Sequence, residues 1–509
     1  MTFRASVDEI VEENSSGLLA AHESWERVHL TDICSILNGF PFPSAGFDPS
    51  DGFPLLRIRD IRPGMTETKF LGKYEPMYVV KPGNLVVGMD GDFNAAEWAG
   101  PPALLNQRVC KLTPDERWYS KKLLAYALQG YLNAINAATP SMTVKHLSST
   151  TVGEIPLPLP PRAEQDRLVT ELDDYTTRLD EATVLLDRVQ HNLKRYRASV
   201  LKAAVEGRLV PTEAELARAE KRDYEPASVL VKRILVERRR RWEAEGKRGK
   251  YQEPEAPDTK ELPELPRGWC WARASALFWD AGYGTSQKCD YNASGPRVLR
   301  IPNVQGGSLD LSDVKRATVS TRLSPDGFVG PGDFLFIRTN GSKNLIGRGA
   351  LVRERLTPDH HFASYLIRLR LVPIATMPSW FALAWHAPTV RDQLLADAAS
   401  GAGQHNVSLG LAADYSVPLP PAAEQTRILA AVEQVDSIAR ASEAMTTGAV
   451  RRSTRLRQSI LKWAFDGKLV DQDPNDEPAD ALLARIRAEK TAAESKHPPS
   501  RRRTAKRKS

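Results

Sequence analysis

Apolar residues recur at alternating spacings of four and three along one long stretch of the chain. The positions are Leu168, Leu172, Tyr175, Leu179, Ala182, Leu186, Val189, Leu193, Tyr196, Val200 and Ala203. This heptad pattern predicts a single long helix with one apolar stripe, beginning after Pro160–Pro161 and ending at Gly207. At ~1.5 Å per residue, about 45 residues of helix extend roughly 65 Å.

A weaker pattern of the same kind occupies residues 428–463. Its apolar ends are Ile428, Val432 and Val435, then Leu456, Ile460 and Trp463, and its middle holds Ser442, Thr446, Ala449 and Ser453. Because a long helix cannot bury its stripe alone, the patterns favour two helices packed on each other as an antiparallel coiled coil with an internal pseudo-two-fold. The alternative is that each helix packs on its own globular block.

Short apolar runs separated by turn signals precede each helix. They are LLRIRDI, MYVV, NLVVGM and RVCKL in the first block, and RVLRIPNV, DFLFIR, GALV and YLIRLRL in the second. Runs of this composition predict strands, and the Pro-Gly and Asn-Gly pairs between them predict turns. Since helical stretches such as SKKLLAYALQGYLNAI follow, each block is predicted to be a mixed α/β domain.

The chain carries a long internal repeat. PLPPRAEQDRL (158–168) matches PLPPAAEQTRI (418–428), and SVLKAAVEGRLV (199–210) matches SILKWAFDGKLV (459–470) at the same offset. EPASVLVKRI (225–234) matches EPADALLARI (477–486) nearby. The fold class predicted is therefore an α/β (α+β) tandem duplication: two mixed domains separated by two long helices.

The repeat suggests six regions along the chain. They are an N-terminal segment (1–24), a globular domain (25–160), a central helical region with a linker (161–262), a second globular domain (263–420), a C-terminal helical region (421–490) and a basic disordered tail (491–509). The central region includes the run Arg238–Arg241, for which two interpretations stay open. It is either a solvated helical face or a contact with DNA phosphates.

Composition narrows the class of protein. The 509 residues include 70 Lys and Arg against 63 Asp and Glu, a mild basic excess compatible with a nucleic-acid partner. Cys34, Cys110, Cys270 and Cys289 form no CxxC pair, so neither a zinc knuckle nor a disulfide framework is predicted. We expect a cytoplasmic protein without signal peptide or membrane span.

The motifs of nucleic-acid enzymes are missing from the sequence. We find no Asn/Asp-Pro-Pro-Tyr/Phe motif of an adenine methyltransferase and no GxxxxGK[ST] phosphate loop. Asp90-Gly-Asp92 lacks the E-x-K of a nuclease and is predicted to form a turn, and His360–His361 is a weak metal motif. We expect no catalytic residue and no metal site.

In the motifs of its internal repeat, the chain resembles the specificity subunits of type I restriction-modification systems. The resemblance rests on both PLPPxxEQ copies, on the KxAxxGxLV endings at Gly207 and Gly467, on the LPxGW entry at 265–269, and on GAGQHNVSL (401–409). TPSMTVKHL (139–147) replaces that glycine-rich stretch in the first half.

The resemblance implies a division of labour. Each globular block is a target-recognition domain that reads one half of a bipartite double-stranded DNA target, and the helices fix the gap. The conserved regions, with Glu164, Gln165, Glu424 and Gln425, dock two methyltransferase subunits, and motor-nuclease subunits then join. No cofactor is expected on this chain, while S-adenosylmethionine, ATP and Mg²⁺ are expected on the partners.

Candidate DNA contacts are basic and amide side chains on strand ends and loops of the two blocks. They are Arg57, Arg59, Lys69, Lys73, Arg108 and Lys145 in the first, and Arg300, Arg316, Arg338, Asn340, Lys343, Asn344, Arg348 and Gln404 in the second. The strongest single candidate is the loop RTNGSKNLIGRG (338–349), which combines glycines with hydrogen-bond donors and has no acid.

Two other functions fit the same sequence. A helical interaction scaffold would bind protein partners without sequence preference for DNA. The recognition part of a single-chain restriction enzyme that has lost its catalytic half would keep the DNA preference. Adjacent methyltransferase and helicase-nuclease genes would favour the specificity subunit.

Overall fold

The computed structural model describes residues 6–15, 19–48, 50–139, 145–246, 249–318, 323, 325–401 and 404–496. The chain forms two compact units. The first lies within 1–186 and 447–509, and the second is 187–446. These units cut across the six regions suggested by the repeat, because each unit contains one globular block and one half of each long helix.

Within its described residues, the first unit forms four α-helices and eleven strands before the first long helix. The helices are α1 (Val7–Glu13), α2 (Leu30–Ile33), α3 (Lys121–Ala138) and α4 (Ser149–Gly153). The strands are β1 (Glu26–His29), β2 (Cys34–Asn38), β3 (Phe47–Asp48), β4 (Phe53–Leu56), β5 (Lys69–Phe70), β6 (Val79–Val80), β7 (Leu85–Gly88), β8 (Asn94–Glu97), β9 (Ala103–Leu105), β10 (Val109–Pro114) and β11 (Pro156–Leu159).

Three helices separate the first block from the second block, which has a similar order of elements. Those three are α5 (Arg162–Val205), α6 (Glu213–Glu220) and α7 (Ala227–Ala244). The strands that follow are β12 (Cys270–Arg273), β13 (Phe278–Tyr283), β14 (Cys289–Asp290), β15 (Arg297–Leu299), β16 (Val304–Gln305), β17 (Ser308–Leu309), β18 (Lys315–Ala317), β19 (Asp333–Ile337), β20 (Thr339–Asn340), β21 (Gly349–Leu351), β22 (His360–Phe362), β23 (Leu366–Leu371), β24 (Ala399–Gly401), β25 (Gln404–Asn406) and β26 (Ser416–Leu419). The later helices are α8 (Ala274–Leu277), α9 (Met377–Trp385), α10 (Pro388–Asp397), α11 (Leu409–Asp414), α12 (Ala422–Phe465) and α13 (Ala479–Lys496).

Sheet topology confirms the tandem duplication. The antiparallel order β2-β10-β7-β8 of the first unit returns as β13-β23-β19-β21 in the second. A second sheet in each unit contains one parallel pair, β4 with β9 and β15 with β22. The first strand of each block pairs with its last, as β1 with β11 and β12 with β26. Both blocks are therefore mixed α/β domains built on one plan.

Each block buries helices against its antiparallel sheet. In α3, apolar residues at spacings of three and four, including Leu124, Leu128 and Tyr131, are buried in the core of the first unit. In α9, Trp380, Phe381 and Trp385 are buried, and Trp385 packs 5.0 Å from the ring of Phe336. These large aromatic side chains fix the α/β packing in the second unit.

The two long helices are antiparallel within each unit, as predicted, and each is 44 residues long. In the first unit Arg457 forms an ion pair with Asp180. In the second unit Arg197 donates to Asp436 at 3.1 Å and to Glu443 at 2.8 Å. Polar side chains therefore contribute to the pairing of the two helices within each unit.

The predicted register of the apolar seam is partly wrong. Leu168, Leu172 and Val200 are buried as expected, yet Tyr175 is 38% exposed and Tyr196 55%. The residue after each of these two makes the inward contact instead, Thr176 with Tyr126 of α3 and Arg197 with Asp436 of α12. Thr176 is buried, and Arg197 makes the ion pairs described above. In α12, Leu456 and Trp463 are likewise exposed, at 51% and 57%. Which of two neighbouring positions faces the interior is set by the α-helical repeat of ~3.6 residues per turn, and not by which of the two residues is apolar.

Glycine ends each long helix in the same way. Gly207 has φ +67° and Gly467 has φ +68°, and each follows the helix with backbone bonds to its last turn. A Cβ at Gly207 would lie 2.5 Å from Pro266, and one at Gly467 would lie 2.5 Å from the ring of His22. Both glycines therefore let the entry of a globular block approach a helix end closely.

Both chain ends depart from the predicted division. α1 buries Val7, Ile10 and Val11 within the first unit, so the N-terminal segment is part of that unit. α13 continues to Lys496, so residues 491–496 of the predicted disordered tail are helical, and 497–509 lie outside the described residues. None of the described helices combines the length and apolar character needed to cross a membrane.

Candidate nucleic-acid interface

Each unit has a concave polar surface at the same place in its fold. The first surface has a volume of about 830 Å³ and is lined by Phe42, Ser44, Phe47, Arg57, Ile58, Arg59, Arg62, Asp90, Asp92, Asn94, Asn106, Gln107 and Arg108. The second has a volume of about 490 Å³ and is lined by Thr285, Ser286, Gln287, Lys288, Cys289, Arg300, Ile301, Pro302, Lys315, Ala363, Ser364 and Tyr365.

The parallel strand pair of each unit builds these surfaces. Arg57 follows β4 and Arg300 follows β15, the two strands that pair with β9 and β22. Gly39 and Gly284 cross the ends of the partner strands, where a Cβ would lie 2.0 Å and 2.2 Å from a backbone oxygen. Since the same crossing recurs with the same glycine, the two surfaces are copies of one structural feature.

The first surface gathers three of the six predicted contacts. Arg57, Arg59 and Arg108 line it, together with Arg62, which sequence reasoning missed. Lys69 instead donates to the Ser50 carbonyl at 2.9 Å, and Lys145 to the Asn136 carbonyl at 2.6 Å. Lys73 is exposed on the loop after β5.

Two amide side chains also line this surface. Asn106 and Gln107, directly before Arg108, line it at the end of β9. Amide and guanidinium groups are the side chains that form paired hydrogen bonds to adenine and guanine edges. Sequence reasoning missed both amides because the concavity depends on the distant partner strand β4.

Of the predicted contacts whose side chains the structure describes, the second surface gathers Arg300 alone. Arg300 donates to Asp313 at 3.1 Å, and it is joined on this surface by Lys288 and Lys315, which were not predicted. Arg316, the neighbour of Lys315 on β18, donates to the Gly295 carbonyl at 3.4 Å. Alternation along a strand explains the difference, because successive side chains point to opposite faces.

The loop 338–349 lies beside β25, outside the described lining of the second surface. Arg338 stacks 4.7 Å from the ring centre of Tyr283, and Asn340 accepts a hydrogen bond from the Ser342 amide at 2.7 Å. Lys343 and Asn344 are exposed, and Arg348 is half-buried. The backbone of Gln404 lies in β25, and its side chain lies outside the described part of the structure.

A buried polar joint ties each long helix to its globular block. Trp25 Nε1 donates to Glu164 at 3.0 Å in the first unit, and Trp269 Nε1 donates to Glu424 at 2.9 Å in the second. Burial raises the pKa of each carboxyl group above its ordinary value, and the indole hydrogen bond opposes that shift.

The neighbouring glutamines complete the joint. Gln165 Nε2 donates to the Pro160 carbonyl at 3.0 Å, and Gln425 Nε2 donates to the Pro420 carbonyl at 3.0 Å. Gln165 also accepts from the Ser120 amide at 2.8 Å. The four side chains of the two Glu-Gln pairs are at most 1% exposed. A direct contact between them and another protein would require them to leave these sites, so in this structure they position the helices.

The arginine run 238–241 is held by internal contacts. Arg238 donates to the Ser275 and Phe278 carbonyls at 3.1 and 3.0 Å, and Arg239 pairs with Glu253 at 2.9 Å. Arg240 and Arg241 both pair with Glu237. The run therefore attaches α7 and the following segment to the second block.

The remaining candidate motifs have structural explanations. The chain bends at Gly91, between Asp90 and Asp92, with φ +68°. His360 and His361 are buried, and burial lowers the pKa of both imidazoles. Within the described residues, no group of three or more His, Cys, Asp or Glu side chains is arranged to hold a metal ion.

Comparisons with known proteins agree with this architecture. A family model described as type I restriction modification DNA specificity domain matches residues 22–186. The specificity subunit of the type I restriction enzyme EcoBI of Escherichia coli is 33% identical, over 97% of this chain and 98% of that protein. The EcoKI specificity subunit of E. coli strain K12 is 24% identical, over 92% of this chain and 96% of that protein.

A solved structure shares the fold. Its subject is the complex assembly and conformational transition of a type I restriction-modification system, and it matches with a TM-score of 0.58 and 17% identity over 88% of this chain and 99% of that chain. Two duplicated recognition blocks on paired long helices define a DNA-recognition subunit. The chain belongs to the family of type I restriction enzyme specificity subunits.

Proposed function

We propose that this chain reads a bipartite double-stranded DNA target and thereby directs adenine methylation and DNA cleavage by partner subunits. Each unit reads one half of the target, and the chain itself performs no chemistry. The observation that carries the proposal is the pair of equivalent concave surfaces, one in each unit, lined by basic and amide side chains.

The charge of these surfaces supports binding to DNA. Four arginines and two aspartates line the first surface; among the described residues, three basic side chains and no carboxylate line the second. Basic groups supply the affinity for phosphates that is independent of sequence, and groove-edge contacts supply the choice of bases. Two surfaces of different composition suit two half-sites of different sequence.

The continuous helices support a fixed gap between the half-sites. α5 and α12 each contribute one half to each unit and run for 44 residues without a break. A reader with two recognition elements on a rigid support sets the half-site spacing geometrically. We therefore assign the unspecified gap to this helix pair.

Partners supply the chemistry in this proposal. Two methyltransferase subunits bring S-adenosylmethionine, and motor-nuclease subunits bring the ATP and Mg²⁺ requirement. Exposed apolar residues on the long helices, such as Tyr196 and Trp463, favour protein partners there. Cys34, Cys110, Cys270 and Cys289 form no disulfide with one another, which is in keeping with the cytoplasmic location that we propose.

The proposal is tested by co-expressing the chain with its methyltransferase subunit and mapping adenine methylation across a genome by single-molecule sequencing. We expect one bipartite motif with a fixed gap, which disappears when this chain is omitted. Replacing residues 263–420 with the matching block of a relative should change one half of the motif only. Methylation that persists without the chain, or a single continuous motif, would refute the proposal and favour the scaffold function.

A further inference from the structure

Backbone pairing brings three corresponding positions together in each unit. In the first unit the Met89 amide donates to the Arg108 carbonyl at 2.9 Å, and Asp90 pairs with His146. In the second unit the Arg338 amide donates to the Tyr365 carbonyl at 2.9 Å, and Thr339, the residue after Arg338, pairs with Asn406. Asp90, Arg108 and His146 therefore correspond to Thr339, Tyr365 and Asn406.

In the first unit these three side chains form a chain of polar contacts. Asp90 Oδ1 lies 2.5 Å from His146 Nδ1, and Asp90 Oδ2 lies 3.2 Å from Arg108 Nε. The Asp90 side chain is 20% exposed, whereas that of Arg108 is 52% exposed. Asp90 is thus held by the imidazole on one side and holds the inner edge of the guanidinium on the other.

Such a contact prepares an arginine for reading a base. With Nε fixed by a carboxylate, the guanidinium keeps its Nη groups for a second partner, and fewer rotamers are lost when that partner binds. The guanine edge in the major groove, with O6 and N7 as adjacent acceptors, is the base edge that arginine binds through two hydrogen bonds. Arg108 also lines the first concave surface.

We propose that Arg108 determines specificity in the first half-site by binding one guanine, and that Asp90, braced by His146, is its positioning residue. The corresponding Tyr365 and Thr339 contain neither a guanidinium nor a carboxylate, so this recognition is confined to one half of the target. The inference rests on the proposed function and adds to it the base and the side chains that read it.

The test uses the methyltransferase complex and a duplex containing the motif mapped for the wild-type chain. Replacing the guanine with 7-deazaguanine removes the N7 acceptor and should weaken wild-type binding about tenfold. In Arg108→Ala the same replacement should cause little further loss, because the contact is already gone. In Asp90→Asn the preference for guanine should drop about threefold to tenfold. Its sensitivity to 7-deazaguanine should therefore lie between that of the wild type and that of Arg108→Ala. Arg178→Lys, at an exposed residue of α5 outside the surface, is the matched control.

The outcomes separate this inference from the proposed function. Arg108→Lys should relax one position of the first half-site in the methylation map and leave the second half-site unchanged, which also reports that the variant is folded. Equal losses from 7-deazaguanine in the wild type and in Arg108→Ala, or a first half-site without guanine, would overturn the inference alone. Absence of a bipartite motif for the wild-type chain would overturn the proposed function and this inference with it.

Discussion

Trp25 and Glu164 meet in the interior of the first unit, where the indole Nε1 lies 3.0 Å from a carboxylate oxygen. Trp25 precedes the first strand of its block, and Glu164 lies in the first turn of α5. The same pair recurs as Trp269 and Glu424 in the second unit. One hydrogen bond thus fixes the entry of each block to the start of its helix. The Glu of the PLPPxxEQ motif has a structural role in this contact.

Trp25→Phe tests that joint. The change removes a donor from a carboxylate that is 1% exposed, so the free energy of unfolding should fall by about 2 kcal/mol, with a contribution from the smaller ring. Urea denaturation of the full chain measures the loss. Trp463→Phe, at a site 57% exposed, should change stability by less than ~0.5 kcal/mol. Equal effects of the two substitutions would show that the hydrogen bond contributes nothing.

The register of the helix pair gives a second prediction. Leu172→Ala should destabilise the first unit by about 2–5 kcal/mol, because Leu172 is fully buried. Tyr175→Ala, one turn away and 38% exposed, should cost less than ~1 kcal/mol. Denaturation curves of both variants measure these losses in the free energy of unfolding. A larger loss for Tyr175→Ala would restore the seam expected from the sequence.

The same two helices show how far sequence reasoning reaches. The length of the helices, their antiparallel pairing and the duplication can be predicted from periodicity and repeated motifs, because both are visible directly in the order of residues. The position that faces the interior at each turn of these helices cannot be predicted in this way. Thr176 contacts Tyr126 of α3 and Arg197 contacts Asp436 of α12, both far away in sequence, and no local pattern encodes these contacts.

The candidate interface shows the same limit. Arg57 and Arg300 were predictable, because each stands at the end of a recognisable strand within a repeated motif. Lys288, Lys315 and Gln107 were not, because they reach a concave surface only through long-range strand pairing. The partnered lysines Lys69 and Lys145 illustrate the converse, since a basic residue in a loop is often held by a nearby carbonyl.

Acid should destabilise the second unit through His386. Its ring lies 3.0 Å from the Gly349 carbonyl, and burial lowers its pKa from 6.5 to about 4. The folded state therefore binds fewer protons than the unfolded state between those values. The stabilisation is complete above pH 6.5 and is lost as pH falls towards 4, by about 1 kcal/mol at pH 5.5.

His386→Gln keeps a donor for the carbonyl and removes the titrating ring. The loss of stability between pH 7.5 and 5.5, measured by urea denaturation, should be about 1 kcal/mol smaller in this variant than in the wild type. His191→Gln, at an exposed site on α5, should keep the wild-type pH dependence. If His386→Gln also kept it, the imidazole would not be the group responsible.

Arg59 should act on DNA differently from Arg108. Its side chain is 65% exposed and contacts Asp60 and Thr68 at the rim of the first surface, so we expect it to bind phosphate and to carry no base preference. Arg59→Ala should weaken binding to specific and non-specific duplexes by similar factors. The slope of log binding constant against log salt should become shallower by about one. Binding titrations of the methyltransferase complex across a salt series measure both quantities, with Arg178→Ala as the control. A loss confined to one sequence, at an unchanged salt slope, would instead identify Arg59 as a base-reading residue, since only a lost phosphate contact reduces counterion release.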